Sequence, residues 1–382
     1  MNALKLLLIF CFAVIGNAQA APAPEGCLEC HEKSAPVLVT AWRNSRHGAK
    51  GVGCADCHGT DHSSIFALKG QVSAGKCGSC HAKEVKQFDR SLHAAAVDLM
   101  KSDPKFARLS PAMADAGCNG CHQIGAKFAD NSRGKCNSCH SGHSFSIAEA
   151  KRPESCAPCH SGSDHPQMEM WQSSKHGQLF AAGQTREQAP TCVTCHMPAG
   201  SHDTGIGLTL GNVANGAILE PSKPVVKMRS ITANEAERQR RLMVQTCLPC
   251  HSSRFASESL TKADSIKIEA DAVLGEAVAI ITQLEKEGIL QRKPLPAAAH
   301  GNQAEPAAKT GLVLGSDQVY DGLSAIEQRF FDMFKFHHAA TFKGAYHHNP
   351  MYTHNEGFLR MKQDLTFIQD EAAQMRRKAK GH

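Results

Sequence analysis

Eight times along this 382-residue chain the sequence reads Cys-x-x-Cys-His, and no cysteine beyond residue 20 stands outside that pattern. The copies are Cys27/Cys30/His31, Cys54/Cys57/His58, Cys77/Cys80/His81, Cys118/Cys121/His122, Cys136/Cys139/His140, Cys156/Cys159/His160, Cys192/Cys195/His196 and Cys247/Cys250/His251. Two thiols three residues apart, followed at once by an imidazole, suit covalent haem attachment: two thioethers fix the porphyrin edge and the adjacent histidine reaches the iron. Zinc sites need a second ligand pair at finger-like spacing, and disulfide frameworks do not place a histidine after every second cysteine. Eight haem c groups are therefore the expected cofactors, held by these sixteen cysteines, with His31, His58, His81, His122, His140, His160, His196 and His251 as proximal ligands.

That cofactor load dictates the fold class. Only about 45 residues serve each porphyrin, and only 5% of the chain is aromatic, so the macrocycles themselves must supply the apolar core. The expectation is a mainly α multihaem cytochrome c fold with a haem-packed core and long C-terminal helices. Residues 1–20, with Lys5, the apolar run Leu6 to Ile15 and Ala18-Gln19-Ala20, read as a signal peptide whose removal carries away Cys11. No later segment reaches about 18 consecutive apolar residues, so a periplasmic protein is expected. The formal charge is +6. Sixteen propionates would bring the mature chain to about −11 with ferrous irons and about −3 with ferric ones, which points to propionate neutralisation and not to nucleic acid.

Distal ligands must come from the other fourteen of the 22 histidines. Trp42 to His47, Phe88 to His93 and Trp171 to His176 share an aromatic residue, a serine three later and a histidine five later, a repeat expected to present His47, His93 and His176 from short helices. His62, His143, His165 and His202 follow haem motifs by three to six residues. So short a loop cannot wrap a porphyrin, so each must address a neighbouring haem or none. Beyond residue 253, Ile266, Ala270, Val273, Ala277, Ile280 and Leu284 form one helical seam, and Val319, Leu323, Ile326, Phe330, Met333 and His337 form another that ends on a histidine. A third helix is expected from Phe358 to Lys378. These patterns divide the chain into a signal peptide at 1–20, an octahaem-binding region at 21–253 and a C-terminal helical region at 254–382 that supplies a distal ligand, with His337 as the expected one, and offers a possible subunit interface.

Seven bis-histidine haems would use only seven of those fourteen, so counting does not reveal an open iron. The stretch CAPCHSGSDHPQMEMWQSSKHG bears on it through His165 and Asp164. Pro166 favours a helix start and disfavours helical conformation at His165, so a helix is expected from Pro166 to about His176, keeping His165 and His176 roughly 16 Å apart and on different irons. An Asp-His pair there either handles protons over a haem without ligating it or is an axial ligand with its carboxylate partner. Spacing leaves both open.

GSDHPQMEMWQSSKHG, CVTCHMPAGSHD, FKGAYHHNPMYTH and the order of the eight motifs resemble the hydroxylamine oxidoreductase family of octahaem cytochromes c, which includes reductive relatives. The resemblance implies a catalytic fourth haem, here on Cys118, Cys121 and His122, without a distal protein ligand and with Asp164 and His165 above it. It implies a small inorganic nitrogen substrate, a periplasmic or membrane quinol-linked cytochrome as redox partner, and a homo-oligomer, a trimer in the oxidising members. Those members cross-link a neighbouring subunit's tyrosine to the catalytic porphyrin. Tyr352 is the counterpart by position, but the THNEGF after it lacks their aromatic character, which favours the reductive direction. The chain has no Cys-x-x-Cys-Lys motif, unlike lysine-ligated reductases. The expectation is reduction of nitrite or hydroxylamine to ammonium at the fourth haem. Hydroxylamine oxidation and a pure electron-transfer cytochrome with eight bis-histidine haems are the alternatives.

Overall fold

The computed structural model describes residues 25–101, 106, 109–163, 165–183, 188–204, 233–290 and 324–381. Asp164, Val319, Leu323 and the expected signal peptide lie outside these residues. The chain is mainly α. Among the described residues the β pairing is one isolated bridge, Lys127 with Arg133. No helix of the described residues is long and apolar enough to cross a membrane.

Two compact units emerge, one of residues up to Val72 together with Ser141–Ser146, the other of Ser73–His140 and Ile147 onward. The expected boundary at 253/254 falls inside the second. The first unit is a string of short helices, Glu25–Ser34, Pro36–Arg43, Arg46–Ala49, Cys54–His58 and His62–Ala67. Their shortness follows from frequent caps: the Ser45 hydroxyl accepts the Gly48 N–H at 3.0 Å, and the Asp61 carboxylate accepts the N–H groups of Ser63 and Ser64 at 3.1 and 3.2 Å. Each cap satisfies donors that a helix N-terminus leaves orphaned. The Ser141–Ser146 segment holds His143 at φ 71° and Phe145 at φ 43°, a left-handed conformation that β-carbon-bearing residues adopt only where their surroundings enforce it.

The second unit ends in a helical bundle with a conventional apolar core. Ser253–Lys286 runs for 34 residues and packs against Ala325–Tyr346 and Pro350–Ala379. Leu274, Ile281, Phe330, Met333, Met361 and Ile368 are all fully buried, each stabilising the bundle by about 1.5–3 kcal/mol against exposure. In the first seam Ala270, Val273, Ala277 and Leu284 are buried as the spacing predicts, while Leu274 and Ile281 are buried more deeply than Ile266 and Ile280. The seam is wider than one stripe because this helix packs on two neighbours at once.

Both later helices carry a single π turn, Met333–His338 and Thr353–Phe358. A π turn adds one residue to the turn and rotates everything after it. His338 rather than His337 consequently continues the second seam, at 7% exposure. The two helices cross through glycines: a β-carbon on Gly357 would meet the Thr341 backbone at 2.6 Å, and one on Gly344 would meet the Thr353 nitrogen at 3.1 Å. This close crossing fixes the segment around Tyr352 against the bundle.

Candidate functional site

The aromatic-serine-histidine repeat forms a helix break instead of one continuous helix. Gln167–Gln172 ends after Trp171, and Lys175–Ala181 begins on Ser174, so the helix expected from Pro166 to His176 is interrupted. The physical reason is the serine. Ser174 Oγ donates to the Trp171 carbonyl at 2.7 Å and accepts the Gly177 N–H at 3.2 Å, ending one helix and capping the next. Ser45 does the same between the Trp42 carbonyl and Gly48, and Ser91 Oγ donates to the Phe88 carbonyl. The indoles are pinned too, Trp42 Nε1 to the Val52 carbonyl at 2.9 Å and Trp171 Nε1 to the Pro190 carbonyl at 3.0 Å. A β-carbon on Gly48 or Gly177 would fall 2.3 or 2.1 Å from the tryptophan carbonyl oxygen. The glycine after the histidine therefore belongs to the motif, a signal present in His47-Gly48 and His176-Gly177.

The imidazoles fall into pairs at one spacing. Two histidines sharing an iron hold their ring centroids about 6.3 Å apart, from two metal–nitrogen bonds of about 2.0 Å and two ring radii. His31 and His62 are separated by 6.3 Å, His58 and His143 by 6.0 Å, and His160 and His93 by 6.0 Å. His140 and His202 lie 6.2 Å apart, His251 and His176 6.2 Å, and His196 and His347 6.3 Å. Each of the six pairs joins one motif histidine to one of the other fourteen, so the residues present fit bis-histidine haem. His62, His143 and His202 each face the histidine of a motif other than the one just before them, as their short loops require. Burial pushes the imidazoles of His58, His93, His143, His176 and His347 below their ordinary value and that of His160 to about 4, keeping them neutral, the form that ligates. His81 of the third motif caps the helix Ala82–Phe88 at its N-terminus.

His337 is placed elsewhere. Its Nδ1 lies 2.5 Å from the carboxylate of buried Asp364, which Arg329 also contacts at 3.3 Å, in a polar cavity of about 640 Å³. The π turn puts it there, and His347 is the histidine that stands opposite His196. His347 Nδ1 faces the Lys343 carbonyl at 2.7 Å, the contact that leaves Nε2 for a metal. The helix before it is anchored by Tyr346, whose hydroxyl donates to Asp264 at 2.5 Å, itself gripped by Arg240 at 2.5 and 2.7 Å. His347-His348-Asn349-Pro350 reads as a helix stop in the sequence, and that was the available sign that a histidine is turned out here. His47 lies edge-on to Phe145 at 5.0 Å.

Cysteines of different motifs also meet. In the first unit Cys27 hydrogen-bonds Cys54. In the second, Cys77 hydrogen-bonds Cys136, Cys156 hydrogen-bonds Cys192, and Cys121 hydrogen-bonds Cys159. Cys139 lies near Cys156, and Cys195 near Cys247. Four of the expected attachment cysteines are set differently. Cys30, Cys80 and Cys250 are exposed and Cys57 is only half-buried, which corrects the picture of a haem-packed core enclosing every attachment sulfur. The reason is local, since each is the second cysteine of its motif. Cys80 and Cys250 lie in turns where their N–H groups donate to the carbonyls of Cys77 and Cys247 at 3.2 and 3.1 Å. Cys30 and Cys57 lie on the short helices Glu25–Ser34 and Cys54–His58. In all four motifs it is the first cysteine, Cys27, Cys54, Cys77 or Cys247, that faces a neighbouring motif. None of the sixteen cysteines is drawn into a disulfide, so both sulfurs of each motif fit thioether attachment, one of them at the surface in these cases. Among the described residues no three His, Cys, Asp or Glu side chains converge on a metal-sized site.

His122 differs from the paired histidines. Its Nδ1 faces the Ala96 carbonyl at 2.9 Å, yet among the described residues no second imidazole stands opposite it. What adjoins its motif is the turn after the sixth one: Cys121 Sγ approaches the Pro158 carbonyl at 3.6 Å. That turn runs through Gly162, at φ 85°, to His165, whose ring is edge-on to His160 at 6.2 Å. The Asp164 expected beside it lies outside the described residues. Glu169 Oε1 accepts the Gly162 N–H at 2.7 Å. Tyr352 is brought to the same helix within one chain: Asn349, 1% exposed, donates to the Met170 carbonyl at 2.8 Å and to Ser173 Oγ at 2.7 Å and accepts the Tyr352 N–H at 2.9 Å. Burial, then the charges of Glu169 and Glu356, push the Tyr352 phenol above its ordinary value.

Residues 50–295 match the family described as seven times multi-haem cytochrome CxxCH, a span that holds the second to eighth motifs of this chain. A Kuenenia stuttgartiensis relative, a probable nitrite reductase-hydroxylamine oxidoreductase fusion protein, is 27% identical over 94% of this chain. This chain spans about half of it, 52%. Among solved structures, a chain of the Kuenenia stuttgartiensis reducing HAO-like protein complex superposes with a TM-score of 0.73 at 24% identity, over 92% of this chain and 85% of its own. A hypothetical multiheme protein superposes at 0.70 with 17% identity over 96% and 98%. At those identities the likeness is one of fold. From the repeated motif, the paired imidazoles and the family match, the chain belongs to the multihaem cytochrome CxxCH family and binds haem c covalently.

Proposed function

We propose that the chain is a periplasmic octahaem cytochrome c that reduces nitrite or hydroxylamine to ammonium at the haem carried by Cys118, Cys121 and His122. The observation that supports this most is the contrast between His122 and the six motif histidines that have an imidazole about 6 Å away. His62, His93, His143, His176, His202 and His347 are the distal ligands on this reading, with His47 kept in the ligand set. When bound, the haems supply electrons and, at His122, a coordination position for a small nitrogen species.

The chain's own groups do the rest. The Ala96 carbonyl fixes the His122 tautomer and turns Nε2 to the metal. His165 and Asp164 hydrogen-bond the substrate oxygen and hand over protons. Tyr352, kept protonated by burial and by two nearby carboxylates, is a neutral donor beside them. The thiols that meet between motifs set porphyrin edges side by side, third to fifth to sixth to seventh to eighth, with the fourth meeting the sixth. Electrons from a quinol-linked cytochrome thereby reach the site.

Reduction is favoured over oxidation by the sequence after Tyr352, and the name of the reducing HAO-like complex accords with it. The test is ammonium formation from nitrite or hydroxylamine with a reduced dye. Hydroxylamine oxidation without nitrite reduction reverses the direction.

A further inference from the structure

Glu169 holds a feature that a loop tether alone does not explain. One carboxylate oxygen, Oε1, accepts the Gly162 N–H at 2.7 Å. The other, Oε2, is buried and has no hydrogen-bond partner among the described residues. A buried acceptor left unpaired is costly, and an asparagine or serine would pin a backbone N–H without that cost. The tether fixes the turn that starts beside Cys121 at Pro158 and ends at His165. Tyr352 stands on the other side, held to the Gln167–Gln172 helix by Asn349. The unpaired oxygen thus belongs to the wall shared by His165 and Tyr352.

We propose that Glu169 is a specificity-determining residue of this site, its Oε2 accepting a hydrogen bond from the N–H or O–H of a hydrogen-bearing nitrogen species such as hydroxylamine. The inference rests on the function proposed above. Nitrite is an anion with no hydrogen to donate, and a carboxylate oxygen repels it, whereas hydroxylamine offers donors from both its nitrogen and its oxygen. Glu169 therefore discriminates between the two substrates, and sites that satisfy a ligand's polar hydrogens discriminate strongly because the alternative leaves a buried group unpaired.

Glu169→Gln in the full-length holoprotein separates the roles. The amide oxygen keeps the Gly162 N–H, so the turn is retained, while an NH₂ donor replaces the acceptor. The expected result is a rise of about tenfold or more in KM for hydroxylamine, and in its dissociation constant by calorimetry on the resting protein, with the nitrite values unchanged or lower. Haem content and low-spin spectra should match the wild type, whereas Glu169→Ala should also loosen the turn. Equal changes for both ligands, or no change for either, overturn the proposal. A wild-type protein inactive with both substrates sinks the reading of the site and this inference with it.

Discussion

Replacing His347 and His337 one at a time separates a ligand from a structural residue. His347 stands 6.3 Å from His196, centroid to centroid, which leaves room for one metal and its two bonds and nothing else. His347→Ala removes one of those bonds and opens a second iron to exogenous ligand. Carbon monoxide uptake by the reduced protein should rise from about one to about two molecules per chain. His337 faces no motif histidine; it is paired with Asp364, whose side chain is 2% exposed. His337→Ala should leave uptake at about one and instead lower stability by about 1–3 kcal/mol, because the buried carboxylate loses its closer partner and keeps only Arg329 at 3.3 Å. Gas titration followed optically, with thermal unfolding alongside, reads both. If His337→Ala raises the stoichiometry and His347→Ala does not, the assignment of the last distal ligand is wrong.

Two further changes probe what holds the site. Asn349→Ala removes three hydrogen bonds at a position 1% exposed; it should destabilise by about 2–4 kcal/mol and raise amide exchange around Tyr352, and unaltered exchange there would show that Asn349 is no staple. Asp271 is buried, which alone would raise its carboxyl value, but hydrogen bonds from His338 and Lys267 outweigh burial and hold it below the usual range. A depressed carboxylate contributes stability that is present above the unfolded value near 3.8 and lost as pH falls through the lower folded value. Stability against pH should therefore have a shallower acid limb in Asp271→Asn than in wild type, and identical slopes below about pH 4 would contradict the pairing.

The haem motifs were legible because covalent chemistry leaves no choice of residue: a thioether needs cysteine and the next position must reach the iron. Helix existence was legible for the same kind of reason, since Ala270, Val273, Ala277 and Leu284 keep strict spacing. What spacing could not show was register after an inserted residue. One extra residue in Met333–His338 moved the seam to His338 and carried His337 to Asp364. Nor does a motif tell which of its sulfurs turns outward, as Cys30, Cys80 and Cys250 do, because that depends on the neighbouring motif each first cysteine meets. Helical periodicity did not reveal that Ser174 breaks the helix, although the capping serine and the glycine behind His176 were both in view. Glu169 and Asn349 act through contacts to Gly162, Met170 and Tyr352, set by turns and crossings that no local pattern encodes.

The central claim is that the iron held by His122 has no ligand from this chain on its far side. Electron paramagnetic resonance of the fully ferric, full-length protein tests it most directly. The account predicts one high-spin haem against a low-spin background, converted to low spin by cyanide and abolished by nothing short of losing that haem. An entirely low-spin spectrum that cyanide leaves unchanged would contradict it and leave a carrier of electrons.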